Sequence, residues 1–108
     1  MKTILKGMGT SEGKAQGKVK IIESADDHFK FREGDILVTR ITDPTMTVLM
    51  NRAAAIVCDI GGLTSHPSIV AREMGIPCVV NTKEGTKKLK DGEEVLVDGK
   101  KGEICRLD

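Results

Sequence analysis

The sequence predicts an α/β fold, and three observations support this prediction. Three short aliphatic runs, at residues 35–39, 53–58 and 78–80, have the composition of buried strands. Segments with helical start and stop signals separate these runs, and shorter strand-like runs lie towards both ends of the chain. Alternating strands and helices are typical of an α/β core, in which helices cover a sheet.

The first third of the chain combines a glycine-rich stretch with one strand. Residues 6–17 contain four glycines among small and polar residues, and we interpret them as a strand end followed by a loop. No Gly-Lys-Ser/Thr element follows them that would indicate a nucleotide-binding loop. Residues 19–22 are predicted to form a strand. Ser24 can cap a short helix or turn that includes His28, which we interpret as a solvated surface histidine.

The middle of the chain predicts a strand, a helix and a second strand. Residues 35–39 form the first strand, because contiguous Ile, Leu and Val are expected when both faces of a strand are covered. Asp43-Pro44 then turns into a helix over about residues 45–51, with Val48 and Leu49 as its core contacts. Residues 53–58 form the second strand and lead into Gly61-Gly62.

The next helix is predicted from its two ends. Pro67 favours the first helical turn, because an N–H is not needed there and the φ of proline is already helical. Gly75 is placed to end the helix as a left-handed residue, and Pro77 prevents the helix from restarting. The spacing predicts one mostly apolar face, made of Ile69, Val70, Glu73 and Met74.

Three elements follow this helix. Residues 78–80 form the third buried strand, and residues 83–90 are a charged surface turn or helical segment. Residues 94–97 and 103–106 then pair around Asp98-Gly99, which is a hairpin signal.

The composition predicts one cytoplasmic domain with no nucleic-acid or membrane partner. A chain of 108 residues fits a single domain, 1–108. The net charge of +1 gives no electrostatic basis for binding nucleic acid or an anionic membrane, and with no Trp or Tyr there is little to stack on bases. No apolar run approaches the roughly 20 residues of a membrane span. Three cysteines, an odd number, point to reduced thiols and hence to the cytoplasm.

His66, one of two histidines, is placed at the N-terminal end of the helix that contains Pro67. Such an end has free backbone N–H groups and a partial positive charge of roughly +0.5, which suit a phosphate and disfavour the imidazolium form of histidine. A neutral imidazole has a lone pair for attack. Gly61 and Gly62 let the backbone come close, and Thr64 and Ser65 offer hydroxyls. The pattern predicts phosphoryl transfer onto His66.

The residues allow two other interpretations of His66. A lone histidine is more often structural than nucleophilic. A zinc site with Cys58 and Cys78 would need a fourth ligand, and the sequence offers none, so both thiols are interpreted as small core residues. We predict no metal site in this chain.

The order of residues in this region resembles a known signature. Gly-Gly-x-Thr-x-His over residues 61–66, followed by Ile-Val-Ala-Arg-Glu-x-Gly-Ile-Pro over residues 69–77, closely resembles the mobile, or swivelling, phosphohistidine domain of the phosphoenolpyruvate-utilising enzymes. Stretches at residues 34–39, 42–44, 91–92 and 97–99 are similar to other parts of that domain, so the resemblance covers nearly the whole chain. Pro67 is a departure, because the family mostly has a small residue such as Ala after the histidine.

The resemblance implies a swivelling β/β/α three-layer fold and specific roles for further residues. It implies that a polar residue of the loop with Thr42, Asp43 and Thr45 lies against His66, and Thr45 is our candidate for orienting the ring. It also makes Arg72 a secondary candidate for contacting phosphate oxygens or partner surfaces. The phosphoryl group is expected on Nε2 of His66, with Nδ1 oriented by a neighbour.

The resemblance further implies a phosphoryl carrier that is one component of a phosphotransferase, as in pyruvate phosphate dikinase or phosphoenolpyruvate synthase. Its partners would be an ATP-grasp nucleotide-binding domain and a phosphoenolpyruvate/pyruvate barrel, as domains or subunits. Those partners, and not this chain, would hold Mg²⁺ and ATP or phosphoenolpyruvate, so the chain alone is not a complete catalyst. The start at Met fits a stand-alone carrier slightly better than a domain cut from a larger enzyme. The alternative is a non-catalytic regulatory or docking module that retains the fold.

Overall fold

A computed structural model describes residues 1–107 of the chain. Those residues form eight strands: β1 (Lys2–Lys6), β2 (Met8–Ser11), β3 (Lys14–Ile21), β4 (Ile36–Thr39), β5 (Ala55–Cys58), β6 (Cys78–Val80), β7 (Glu94–Asp98) and β8 (Glu103–Arg106). The helices are α1 (Thr47–Met50), α2 (His66–Met74) and α3 (Gly85–Lys88), with 3₁₀ segments at Ala25–Lys30 and Pro44–Met46. In the described residues no helix has the length and hydropathy of a membrane span.

Strand β3 joins a parallel half of the sheet to an antiparallel half. The strand order is β1-β8-β7-β3-β4-β5-β6-β2. The first part of β3 pairs antiparallel with β7, and its last three residues pair parallel with β4. Strands β4, β5 and β6 continue in parallel, and β2 closes that edge in the antiparallel sense. The three central strands expected from the sequence are therefore confirmed.

Side-chain alternation along the parallel strands separates two hydrophobic cores. Ile36 and Val38 of β4 pack with β1, β7 and β8 residues such as Leu5 and Val95. Leu37, between them, faces the opposite side and packs with Leu49 and other residues of the helical layer. Because neighbouring residues of a strand point to opposite faces, the result is an antiparallel layer, a parallel layer and a helical layer. The predicted β/β/α arrangement is confirmed.

The structure of the glycine-rich stretch at residues 6–17 differs from the sequence prediction. The strand end is confirmed, because β1 ends at Lys6, but most of the remainder is not a loop, since it contains β2 and the beginning of β3. Gly9 shows the reason: a Cβ at this position would lie 2.1 Å from the carbonyl oxygen of Gly99. Glycine therefore serves here to bring two backbones together, a use that composition alone does not distinguish from a flexible turn.

The exposed faces of α1 and α2 also differ from the prediction. Leu49 is buried as expected, but Val48 is 67% exposed. In α2 the buried residues are Pro67, Ser68 and Ala71. Val70 and Met74 pack against the core as expected, but Ile69 is 43% exposed and Glu73 is also exposed, so half of the predicted face is confirmed and the other half faces outward.

The helix ends and the final hairpin agree with the prediction. Gly75 has φ +73° and ends α2 in the left-handed conformation. Strands β7 and β8 pair with Asp98 opposite Glu103, on either side of the turn that follows Asp98.

Candidate functional site

His66 is the first residue of α2, immediately after the loop that follows β5. Ser65 precedes it with extended dihedral angles, and its carbonyl accepts the first bond of the helix, from Ile69. Pro67 occupies the first turn, where it costs no hydrogen bond. His66 is partly buried.

The inner edge of the ring meets Thr42. Thr42 Oγ1 lies 2.7 Å from Nδ1 of His66, and the threonine is only 4% exposed. If Nδ1–H donates to this hydroxyl, the lone pair of the neutral ring is on Nε2. Within residues 1–107, Nε2 makes no hydrogen bond. The contact is compatible with the tautomer in which Nε2 is the nucleophile.

Thr42, and not the expected Thr45, is the residue that contacts His66. The hydroxyl and the backbone N–H of Thr45 both bond to Asp43 Oδ1, the N–H at 2.8 Å. These two bonds, the hydroxyl first, hold the pKa of Asp43 below its usual value. Thr45 thus belongs to the cap of the short helical segment. Thr42 comes just before that cap, and its side chain is buried.

The loop over residues 59–65 is held partly by its own polar groups. Gly61 has φ +131°, and a Cβ there would lie 2.8 Å from Ser65 Oγ. Ser65 Oγ accepts from the N–H of Gly62 at 3.2 Å and donates to the Gly62 carbonyl at 2.8 Å. Ser65 was expected to offer its hydroxyl to a phosphoryl group, but this hydroxyl forms hydrogen bonds within the loop. Glycine at 61 is required by the turn, whereas a Cβ at Gly62 would meet open space.

Thr64 is the residue of the loop with a free hydroxyl. It is exposed and lies two residues before His66. In the described part of the chain its hydroxyl makes no hydrogen bond. Of the two hydroxyls that the sequence suggested for binding phosphate, this one is available.

Asp59 holds the start of the loop and was not singled out by the sequence. It is 7% exposed, and Oδ1 accepts from the backbone N–H of Thr86 at 3.0 Å while Oδ2 accepts from the Thr86 hydroxyl at 2.5 Å. These bonds tie the carboxyl end of β5 to α3. The sequence signal was limited to an acidic residue directly after a buried strand.

Arg72 points back along α2 to the loop. Its Nη2 donates to the carbonyl of Leu63 at 2.6 Å, and its Nη1 donates to the carbonyl of Thr10 in β2 at 2.9 Å. The guanidinium therefore bridges two backbone segments, which sequence reasoning did not indicate.

The buried thiols next to the site are poor metal ligands. Burial raises the pKa of Cys78 to about 11, and burial together with the nearby Cys78 thiol raises the pKa of Cys58. Zinc binds the thiolate form, which these raised pKa values disfavour. Among residues 1–107, no group of three or more His, Cys, Asp or Glu side chains is arranged to hold a metal ion.

Comparison with known proteins identifies the family. The family "PEP-utilising enzyme, mobile domain" matches residues 31–102. This chain belongs to that family. The resemblance stated from the 61–77 signature is thereby confirmed.

Several relatives of this mobile domain carry related names. The chain is 58% identical over 103 residues to the phosphoenolpyruvate synthase of Pyrococcus furiosus, a match that covers 95% of this chain and 13% of that protein. It is 58% identical over 101 residues to a probable phosphoenolpyruvate synthase of Archaeoglobus fulgidus, covering 94% of this chain and 13% of that protein. The chain thus spans about an eighth of the length of these relatives.

Solved structures agree with the fold. A solution structure of Enzyme I superimposes with a TM-score of 0.60 at 33% identity, over 68% of this chain and 31% of that chain. The holo-form of aconitase X from Thermococcus kodakaraensis has a TM-score of 0.69 at 22% identity, over 96% of this chain and 98% of that chain, and shows the fold alone.

Proposed function

We propose that this chain is a phosphoryl carrier that is transiently phosphorylated on Nε2 of His66. The observation that carries the proposal is the 2.7 Å contact between Thr42 Oγ1 and Nδ1 of His66. It leaves Nε2 free at the N-terminus of a 9-residue helix. Membership in the mobile-domain family of the PEP-utilising enzymes supports the same conclusion.

The loading step follows from the tautomer. Neutral His66 donates Nδ1–H to Thr42, and the Nε2 lone pair attacks the phosphorus of the donor. The N–P bond forms as the bond between phosphorus and the donor's leaving group breaks. The ring then carries positive charge, which strengthens the hydrogen bond from Nδ1–H to Thr42, because hydrogen bonds to ionised groups are stronger than neutral ones.

The surroundings of Nε2 supply groups for the phosphoryl oxygens. The exposed Thr64 hydroxyl can donate to one of them. The dipole of α2 favours the negative charge of the others at this end of the helix. Delivery is the reverse reaction: an acceptor attacks phosphorus, the N–P bond breaks, and the electron pair returns to Nε2.

The donor and acceptor sites belong to other domains in this proposal. The chain covers 13% of relatives named phosphoenolpyruvate synthase, so most of their length lies outside it. We assign an ATP-grasp nucleotide site and a phosphoenolpyruvate/pyruvate barrel to that remainder or to separate subunits. Mg²⁺ and ATP or phosphoenolpyruvate would bind there, since phosphoryl transfer needs metal ions and no group of metal ligands occurs in residues 1–107. We also propose a cytoplasmic location for the whole assembly.

Intact mass spectrometry tests the loading step. The purified chain is incubated with lysate of its source cells and with either ATP or phosphoenolpyruvate. We expect a gain of one phosphoryl group that is acid-labile and absent in His66→Ala. His28→Ala is the matched control, because it removes the other histidine and leaves the site intact. Failure of both donors in a lysate shown to be active would favour a regulatory or docking module.

A further inference from the structure

In the loop before His66, two consecutive backbone carbonyl groups accept hydrogen bonds from side chains at or within α2. The Gly62 carbonyl lies 2.8 Å from the hydroxyls of both Ser65 and Ser68. The next carbonyl, that of Leu63, accepts from Arg72 Nη2 at 2.6 Å. Ser68 is fully buried, and its hydroxyl is also 2.8 Å from that of Thr10. Helix α2 therefore fixes two successive peptide planes.

Fixing these carbonyls also fixes two amide N–H groups. In a planar trans peptide the C=O and the following N–H point in opposite directions, and residues 1–107 contain no cis peptide bonds. The N–H groups of Leu63 and Thr64 are consequently turned away from α2. Both residues are exposed, and among residues 1–107 neither N–H has a hydrogen-bond acceptor.

Arg72 couples this loop to the sheet. Its second nitrogen, Nη1, donates to the Thr10 carbonyl in β2 at 2.9 Å. One guanidinium thus spans two backbone carbonyls that are distant in the sequence. The planar guanidinium of arginine has several N–H donors and can bond to both carbonyls at once, whereas the ammonium group of lysine is a compact point charge.

We propose that Arg72 is a positioning residue for phosphoryl binding and not itself a phosphate ligand. By holding the Leu63 carbonyl, it presents the Thr64 N–H to the phosphoryl group on His66. Ser68 does the same for the Leu63 N–H through the Gly62 carbonyl. This inference rests on the proposed carrier function, because it requires a phosphoryl group on His66.

The test uses a small phosphoryl donor, so that no partner protein is needed. The 108-residue chain is treated with phosphoramidate, which transfers its phosphoryl group to Nε2 and releases ammonia. The variants are Arg72→Gln and Arg72→Lys. Arg32→Gln is the matched control, because the Arg32 side chain is exposed and makes no hydrogen bond or ion pair within residues 1–107.

Amide NMR measures the chemical-shift change of individual N–H groups on phosphorylation, which a loss of stability alone would not alter. On phosphorylation of the wild type and of Arg32→Gln, we expect the Leu63 and Thr64 amide protons to shift downfield. In Arg72→Gln the Thr64 shift is lost and phosphorylation slows by about tenfold, which corresponds to about 1.4 kcal/mol. We expect Arg72→Lys to restore neither the Thr64 shift nor the phosphorylation rate.

Three results would overturn the proposal. The first is a Thr64 shift in phosphorylated Arg72→Gln equal to that of the wild type. The second is full recovery in Arg72→Lys, which would indicate that charge alone matters. The third is a phosphorylation-dependent shift of the Arg72 guanidinium nitrogens, which would indicate direct contact with phosphate.

Failure of the carrier function gives a different result. If the wild type accepts no phosphoryl group from phosphoramidate or from a protein donor, the proposed function is wrong. The orientation of the two N–H groups is then measured in the unmodified chain by residual dipolar couplings. Couplings of Thr64 that are unchanged in Arg72→Gln would overturn the positioning role independently.

Discussion

The contact between Thr42 and His66 can be removed with little change in packing. Thr42→Val replaces the hydroxyl by a methyl group at a position that is 4% exposed. It deletes the 2.7 Å hydrogen bond to Nδ1 and leaves the backbone of the loop in place. Thr45→Val is the matched control, because the Thr45 hydroxyl bonds to Asp43 and not to the histidine.

The expected effect of Thr42→Val on the phosphorylation rate follows from the strength of one hydrogen bond. A neutral hydrogen bond contributes about 1 kcal/mol net, and hydrogen bonds to charged groups about 1.5–3 kcal/mol. Loss of about 1 kcal/mol changes the ratio of the two ring tautomers by a factor of about 5. The transition state carries developing positive charge on the ring, so phosphorylation of His66 by phosphoramidate should slow by about 5- to 30-fold in Thr42→Val.

Two measurements check this prediction. Long-range ¹H–¹⁵N spectra report which ring nitrogen carries the proton, and the time course of phosphorylation gives the rate. We expect Nδ1–H in the wild type and in Thr45→Val, with a clear shift towards Nε2–H in Thr42→Val. Equal rates for Thr42→Val and the wild type, or a slower rate for Thr45→Val than for Thr42→Val, would refute the reasoning.

Three further predictions concern stability and reactivity. Gly75→Ala should lower the free energy of unfolding by about 1 kcal/mol in urea titrations, because φ is +73° and an added Cβ meets nothing; an unchanged midpoint would contradict this. Asp43 has a lowered pKa in the folded chain, so its contribution is present above the ordinary value of 3.8 and is lost as the pH falls. The stability difference between wild type and Asp43→Ala should therefore shrink in acid, and a constant difference would argue against it. Iodoacetamide at pH 8 should modify Cys105 alone in the native chain, since burial raises the pKa of Cys78 to about 11 and raises that of Cys58; mass spectrometry that finds a second adduct would show that the core opens.

The parts of the fold that the sequence predicted are those fixed by local chemistry. The central strands are contiguous aliphatic runs, and α2 has a proline in its first turn and a left-handed glycine at its end. Such signals act over a few residues and survive in the tertiary structure. The 61–66 loop is predictable for the same reason, since its glycines and its histidine form one continuous segment.

The parts that could not be predicted depend on contacts between distant segments. Thr42 and Thr45 are both polar residues near a helix start, and only the packing of the 40–46 segment against α2 decides which of them reaches His66. The acceptors of Arg72 are backbone carbonyls, which leave no trace in the side-chain pattern. Gly9 packs against Gly99, 90 positions away in the sequence, so its role is visible only in three dimensions.

The most direct test of the carrier function measures whether the phosphoryl group on His66 is passed on to an acceptor. The chain is phosphorylated on His66, separated from the donor, and added to fresh lysate with pyruvate or with AMP. The carrier function predicts that the phosphoryl group leaves within the time of the assay and is recovered in phosphoenolpyruvate or in an adenine nucleotide. An adduct that persists with both acceptors, or is lost only as inorganic phosphate, would contradict it and indicate a regulatory module.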